Sequence, residues 1–360
     1  MNNKSEITYL FGAGASYYSM PLVENFHSRF QLFISTVHNS ISGGHNQFLI
    51  DCKLFEDNLV HHLSFDTFFK KLFHKNDQKS QKFKAILMIF FIYEHIVDFD
   101  KISQFNSPSQ YSSSYGIKKS NVDPRYDALV AGLLQPVRGG FNLMVKSNFL
   151  TWNYDTNLLS AIKNFKVSDG NLKDFFTVFE TSINQFTIQD DLSVIHLNGR
   201  VFHPKYTSDK IIDIMDMKVI LNALVIDYLK PDGSIWDFSN ELKFSWETLS
   251  ESNSEVRKGS HIEFAINAVL RSDIIVVIGY SFPLYNRIID SMLFNQKTLG
   301  GKVIYVQDPH ANEICSVLKS DFGLLVGNTM SYTNGSQKTV KVEPIENCRS
   351  FFVPSQVFSN

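Results

Sequence analysis

Cysteine is scarce in this 360-residue chain: Cys52, Cys315 and Cys348 stand far apart with no paired spacing, which excludes a disulfide framework and a structural zinc site. An excess of either charge is also missing. Lys and Arg number 34 against 36 Asp and Glu, a formal net charge of −2, and no Lys/Arg block occurs, so direct attraction to nucleic acid or anionic lipid is not expected. No apolar run reaches membrane-spanning length, and the polar start MNNKSE leads only into a strand-length apolar run, too short for a signal peptide. These absences predict a soluble, cytoplasmic chain with no membrane contact. Apolar residues, by contrast, are plentiful: 44% of the chain is hydrophobic and only 19% charged, which supplies a real core and argues against global disorder. The length suits one α/β domain with insertions, or two packed closely together.

Ile7 to Phe11 is a short apolar run that ends in Gly12-Ala13-Gly14-Ala15-Ser16, and a helical period follows from about Leu22 to Val37. From Gly43 to Phe99 the pattern is helical and aromatic, as in Phe65-Asp66-Thr67-Phe68-Phe69, and Ser103 to Pro124 reads as a polar loop. A helix is expected over Tyr126 to Val145, then a strand at Asn148 to Thr151, the sequence Trp152-Asn153-Tyr154-Asp155, and a helix through Ile162. Val194 to Leu197 reads as another strand, and Asn240 to Ser250 as a helix within a variable middle section. The alternation then becomes regular: helix His261 to Leu270, strand Ile274 to Ile278, turn Gly279-Tyr280-Ser281-Phe282-Pro283, helix Tyr285 to Phe294, strand Val303 to Val306, and Gln307-Asp308. Strands that are apolar throughout and alternate with helices predict an α/β fold, a Rossmann-like parallel sheet with helices on both faces. We expect one domain over residues 1–360, with a helical insertion and loop at 43–145 and a tail at 326–360 to which the sequence assigns no role.

Four turns carry the polar residues. Glycines between a buried strand and a helix let a pyrophosphate approach backbone N–H groups, and they also serve plain strand-to-helix packing; the third glycine of the dinucleotide fingerprint is replaced by Tyr17. Asn153 can hold a ribose hydroxyl or a water through its amide, whereas Asp155 can bond an amide or cap the following helix. His196 and Asn198 project from one face of a strand, and histidine is the natural base near neutral pH, although a lone histidine after a strand is more often structural. Gly279, Tyr280, Ser281 and Phe282 form a second turn able to meet a phosphate or ribose, or to cap the helix behind it. Gln307 and Asp308 end the last regular strand, where an adenosine ribose can sit in open α/β sheets, although a helix cap is the stronger default for Asp308.

In this order, Gly12-Ala13-Gly14-Ala15-Ser16, Asn153-Tyr154-Asp155, His196-x-Asn198-Gly199 and Gly279-Tyr280-Ser281-Phe282 resemble the motifs of the sirtuin superfamily, anchoring roughly Glu6 to Ala311. No cysteine lies between Cys52 and Cys315, where sirtuin deacylases carry their zinc ribbon, and Met20-Pro21-Leu22-Val23-Glu24 replaces the deacylase G-I-P-D-F-R. In both respects the chain is similar to the sirtuin-like NAD hydrolases of bacterial abortive-infection systems. The family histidine stands directly before the glycine, the place that Asn198 holds here, with His196 two residues earlier.

The resemblance implies NAD+ as the substrate, cleaved to ADP-ribose and nicotinamide without a metal. Asn153 would orient the water or a ribose hydroxyl, His196 would assist proton removal, and the remaining turn residues would bind the dinucleotide. It also implies a homo-oligomer in antiphage defence, gated by a phage trigger or by a partner such as a ring ATPase or an Argonaute-like protein. Two other readings stay open: a sensor of NAD or ADP-ribose acting through a partner, and a zinc-free deacylase or ADP-ribosyltransferase.

Overall fold

The computed structural model describes residues 5–40, 46–75, 77, 79–97, 122–137, 140–165, 176–179, 192–201, 214–230, 242–247, 260–327 and 338–358. Seven strands form one sheet: β1 (Glu6–Phe11), β4 (Lys146–Thr151), β5 (Phe176–Phe179), β6 (Leu192–His196), β7 (Ile274–Ile278), β8 (Val303–Gln307) and β9 (Lys341–Ile345), in the spatial order β5-β6-β4-β1-β7-β8-β9. Every pairing is parallel. β1, β4, β6 and β7 are buried along nearly their whole length, and none of them alternates between an apolar and an exposed polar face; the polar residues that β4 and β6 carry, such as Asn148 and Ser193, are buried with the rest. Phe11 stands opposite both Thr151 and Ile278, and Thr151 opposite His196, so the four strands end level. The chain builds outward from β1 on one side, then returns to place β7 on the other. Between β1 and β7 lies the switch point at which open α/β sheets hold their ligands.

One face of the sheet packs Leu10, Leu150, Ile195, Ile275 and Val277 against α8 (His261–Arg271), α9 (Arg287–Leu293) and α11 (Ala311–Asp321), with the short α10 (Gln296–Leu299) beside them. The other packs Tyr9, Phe11, Phe149 and Val194 against α5 (Pro124–Leu133) and α6 (Asn157–Asn164). A third core is mainly helical: α1 (Val23–Ser40), α2 (Asn46–Leu59), α3 (Phe65–His74), α4 (Lys79–Ile96) and α7 (Ile214–Leu229) gather around Phe30, Phe33, Phe55 and Phe90, with Tyr154, Phe244 and Trp246 packed against them from outside these helices. The rings of Phe26, Phe30 and Phe33 lie 5.0, 5.3 and 5.7 Å from that of Phe90. α4 is apolar almost all round because it runs through the middle of this layer; its buried Glu94 pairs with buried Arg29 of α1.

The structure differs from the sequence reading in four places. The helix expected over 126–145 ends at Leu133 and gives way to a hairpin of β2 (Leu134–Val137) and β3 (Gly140–Leu143). Pro136 and Gly140 fall where that helix would have continued, and both disfavour a helix interior. The expected insertion at 43–145 therefore divides: α2 to α4 join the helical layer, whereas α5 and the hairpin belong to the sheet side, and residues 103–121 of the expected loop lie outside the described residues. α7 went unread because its apolar residues are too continuous to show a period, while the segment expected as a helix at 240–250 is, among the described residues, a single 3₁₀ turn at Ser245–Glu247. The tail gains a role: β9 extends the sheet, and Phe351 and Val357 fill the core around Phe11 and Tyr126.

Candidate functional site

At the switch point the two glycine turns lock together backbone to backbone. Gly12 N donates to Ile278 O at 2.9 Å and Gly14 N to Gly279 O at 3.0 Å. A Cβ on Gly12 would lie 2.5 Å from Gly279 O, and one on Gly279 would lie 2.4 Å from Ala15 N. Gly279 also has a φ of 60°, which L side chains rarely adopt. Phe282 shares the left-handed region at φ 55° and is held there by packing on Phe294 and Phe322, with ring centroids 4.9 and 5.5 Å away. From the other side, Arg125 donates to Ala15 O at 3.0 Å and Gly14 O at 3.3 Å, satisfying carbonyls of the short Ala13–Ser16 turn, and Asp123 fixes its guanidinium at 2.7 Å.

Above these turns a cavity of about 190 Å³, partly open to solvent, separates the end of the sheet from the helical layer. Of the residues singled out in the sequence, Ala13, Ser16, Asn153, Asp155, Asn198, Gly279, Tyr280 and Ser281 line it. Asn153 donates from Nδ2 to Gly12 O at 2.9 Å and to Ser16 Oγ at 3.1 Å, so it fastens the β4 end to the first glycine turn while facing the cavity. Asp155 Oδ1 accepts from the Asn157 backbone and side chain at 2.9 and 2.8 Å, which makes it the cap of α6 as well as a wall of the cavity. Burial raises its carboxyl above the ordinary carboxylate range, against the opposing pull of Ser16 and Asn157. Asn198 donates to Trp152 O at 3.1 Å and to the Tyr154 hydroxyl at 3.0 Å.

The opposite wall comes from the helical layer. Asp66 is the second residue of α3, a helix started by the Ser64 and Thr67 capping box, and its Oδ1 accepts from the Tyr154 hydroxyl at 3.0 Å. It is 6% exposed, and burial pushes its carboxyl up to about 7 although hydrogen bonds from Tyr154 and Tyr285 pull downward. Lys70, one turn along α3, donates to Tyr285 O at 3.2 Å and ties α3 to the turn after β7.

Gly12, Gly14, Ala15 and Phe282 shape the turns without lining the cavity. His196 also lies outside the lining. It is 2% exposed, and among the described residues neither ring nitrogen makes a hydrogen bond of ordinary geometry, the Asn153 backbone being the partner that acts on it. Burial first, then Arg200 and His261 nearby, press it down to about 3. Gln307 and Asp308 sit away from the cavity as well: Gln307 donates to Asn347 O and Ser350 O and accepts from Phe352 N, holding the C-terminal segment on β8, and Asp308 accepts from His310 N at the start of α11.

No family model and no curated protein matches this chain. Its chemistry is read from the cavity itself. None of the described lining residues is Lys, Arg or His; the wall presents two buried carboxyls, the Ser16 and Ser281 hydroxyls, the amides of Asn153, Asn198 and Asn286 and the rings of Trp152, Tyr154, Tyr280 and Tyr285. Such a set suits a flat ligand that carries hydroxyls and a positive charge. Among the described residues no group of three His, Cys, Asp or Glu stands close enough to hold a metal ion, and no helix is long and apolar enough to cross a membrane. Sequence reasoning passed over Asp66, Tyr154 and Tyr285. The one available signal was an acidic residue inside the aromatic run Phe65-Asp66-Thr67-Phe68-Phe69, where a carboxyl has no ordinary reason to be buried.

Proposed function

We propose that the cavity binds NAD+ and that the chain hydrolyses it to ADP-ribose and nicotinamide. One observation carries the reading: the cavity opens where chain order reverses between β1 and β7, with Ser16, Asn153, Asp155 and Asn198 arranged around it. The donor set fits the dinucleotide, since hydroxyls and amides match ribose hydroxyls and a carboxamide, and carboxyls match a cationic pyridinium. The bound dinucleotide supplies a strained glycosidic bond and a good leaving group. The Ala13 and Ser281 turns meet the phosphates and ribose, Asp155 receives the carboxamide, and Asn153, fixed by Gly12 O and Ser16, orients the attacking water. His196, outside the lining, takes no part in this chemistry. The sirtuin-like motif order supports a place in antiphage defence, with activity gated by a trigger, a partner or assembly into an oligomer.

The test is NAD+ and ADP-ribose by mass spectrometry, with the purified chain and in bacteria with and without phage. Wild-type protein is expected to deplete NAD+ and accumulate ADP-ribose, and Asn153→Ala to abolish both. Unchanged turnover in folded Asn153→Ala protein sinks this mechanism. A second reading, an NAD or ADP-ribose sensor acting through a partner, is favoured by the lack of histidine among the described lining residues. Tight binding without turnover identifies it.

A further inference from the structure

We propose that Asp66, delivered by the helical layer, is the proton acceptor of the cavity. The proposal rests on the hydrolase reading above. The helical layer would then supply part of the active site rather than merely cover it.

Three observations carry the assignment. Asp66 lines the cavity, on the wall that faces Asn153 and Asn198. No cation pairs with its carboxyl among the described residues. The groups that face it are the hydroxyls of Tyr154, from the end of β4, and Tyr285, from the turn after β7, with Lys70 bound instead to the Tyr285 carbonyl. A carboxyl buried this way is costly to ionise and gains nothing structural that a neutral amide would not supply. Finally, a continuous chain of donors runs from Asn198 Nδ2 to the Tyr154 hydroxyl at 3.0 Å and from that hydroxyl to Asp66 Oδ1 at 3.0 Å. Asn198 has no proton to exchange near neutral pH, but through Tyr154 it orients the group that does.

The step balances without a co-reactant. A water oxygen forms a bond to the ribose anomeric carbon, the carbon–nitrogen bond to nicotinamide breaks with its electron pair going to the pyridine nitrogen, and the water proton passes to the Asp66 carboxylate and on to solvent. Nothing is oxidised or reduced. Burial, which makes the carboxyl reluctant to ionise, also makes it a stronger base once ionised, near the pH at which a base works best.

The experiment compares the full-length wild type with Asp66→Asn and Tyr154→Phe, measuring NAD+ affinity by calorimetry, turnover by ADP-ribose release, and kcat from pH 5 to 9. Asp66→Asn keeps the size of the side chain and an acceptor for Tyr154. It is expected to bind NAD+ within about three-fold of wild type, to lose roughly 10²- to 10⁴-fold in kcat, and to lose the rise in kcat that wild type shows as pH passes about 7. Tyr154→Phe is expected to shift that rise in pH and to lower kcat by less than Asp66→Asn does, and the shift is an effect that a purely structural role would not produce. Wild-type turnover with Asp66→Asn unimpaired, or with its pH profile unchanged, overturns the assignment alone. A wild type that neither binds nor cleaves NAD+ overturns the hydrolase reading, and the assignment with it.

Discussion

The two walls of the cavity are built by opposite rules. The sheet-side wall is held up by backbone: Gly12 and Gly14, beneath its lining, are in contact with Gly279 because none has a Cβ, and Arg125 and Asn153 bond carbonyls of the first turn. The helical wall is made of side chains, Phe65, Asp66 and Phe91 at its face, with the Arg29 and Glu94 pair set among the phenylalanine rings behind it. A backbone wall tolerates no added atom but is indifferent to the neighbouring side chains. A ring-packed wall accommodates changes of shape but is sensitive to an unmatched charge. The rigid half suits the fixed parts of a ligand, and the adaptable half suits the group that changes protonation.

Substitutions can break or sharpen this contrast. The largest effect is expected from Gly279→Val, which puts a branched side chain into the Gly14 and Ala15 backbone at a left-handed φ; a loss of about 5 kcal/mol or more, enough to unfold a typical domain, should appear as no cooperative urea transition. A folded Gly279→Val protein would mean that the turns can separate. In the helical layer behind the other wall, Glu94→Gln removes the counter-charge of buried Arg29 and is expected to cost roughly 3 kcal/mol by the same measurement, and a loss below about 1 kcal/mol would remove charge matching from the contrast.

A third effect depends on pH. His196 titrates near 3 in the folded chain, below its ordinary 6.5, so it stays neutral there while the unfolded chain takes up a proton. Its stability contribution is intact above pH 6.5 and is lost as pH falls towards 3, at up to about 1.4 kcal/mol per pH unit. His196→Asn should flatten the acid limb of a denaturation series by that slope. Asp66 works with the opposite sign: its raised carboxyl holds a proton that the unfolded chain has released, so its contribution is full below about 3.8 and is lost as pH rises to about 7. An acid limb as steep in His196→Asn as in wild type would show that this histidine is not sealed. The smallest effect belongs to Phe90→Leu, a change of shape among rings, at about 1.5 kcal/mol or less in thermal or urea unfolding.

The sequence made the backbone wall legible and left the side-chain wall hidden. A buried parallel strand followed by glycine is written locally: Ile7 to Phe11 before Gly12 and Ile274 to Ile278 before Gly279 both declare a strand, a tight turn and a helix within a dozen or so residues. What the glycines contact is not local, and the turns turned out to be filled by each other. Asp66 and Tyr154 are 88 residues apart and meet only because α3 returns over the end of β4. His196 was read as facing a ligand because alternation along a strand gives the side chain's direction, not whether a neighbouring element seals that face. α7 was unreadable for a simpler reason, since apolar Val219 and Ile226 stand on its exposed side and leave no polar stripe to give it a period.

The tail carries a consequence for the living molecule. Arg125, which satisfies the carbonyls of the first glycine turn, donates to Cys348 O at 3.3 Å and lies 4.8 Å from the Phe351 ring, itself stacked near Phe11. A growing chain on the ribosome therefore has β1 and its turn long before it has the residues that brace them. A fragment without residues 340–358 would keep every motif around the cavity and lose the contacts that brace Arg125 against the first glycine turn.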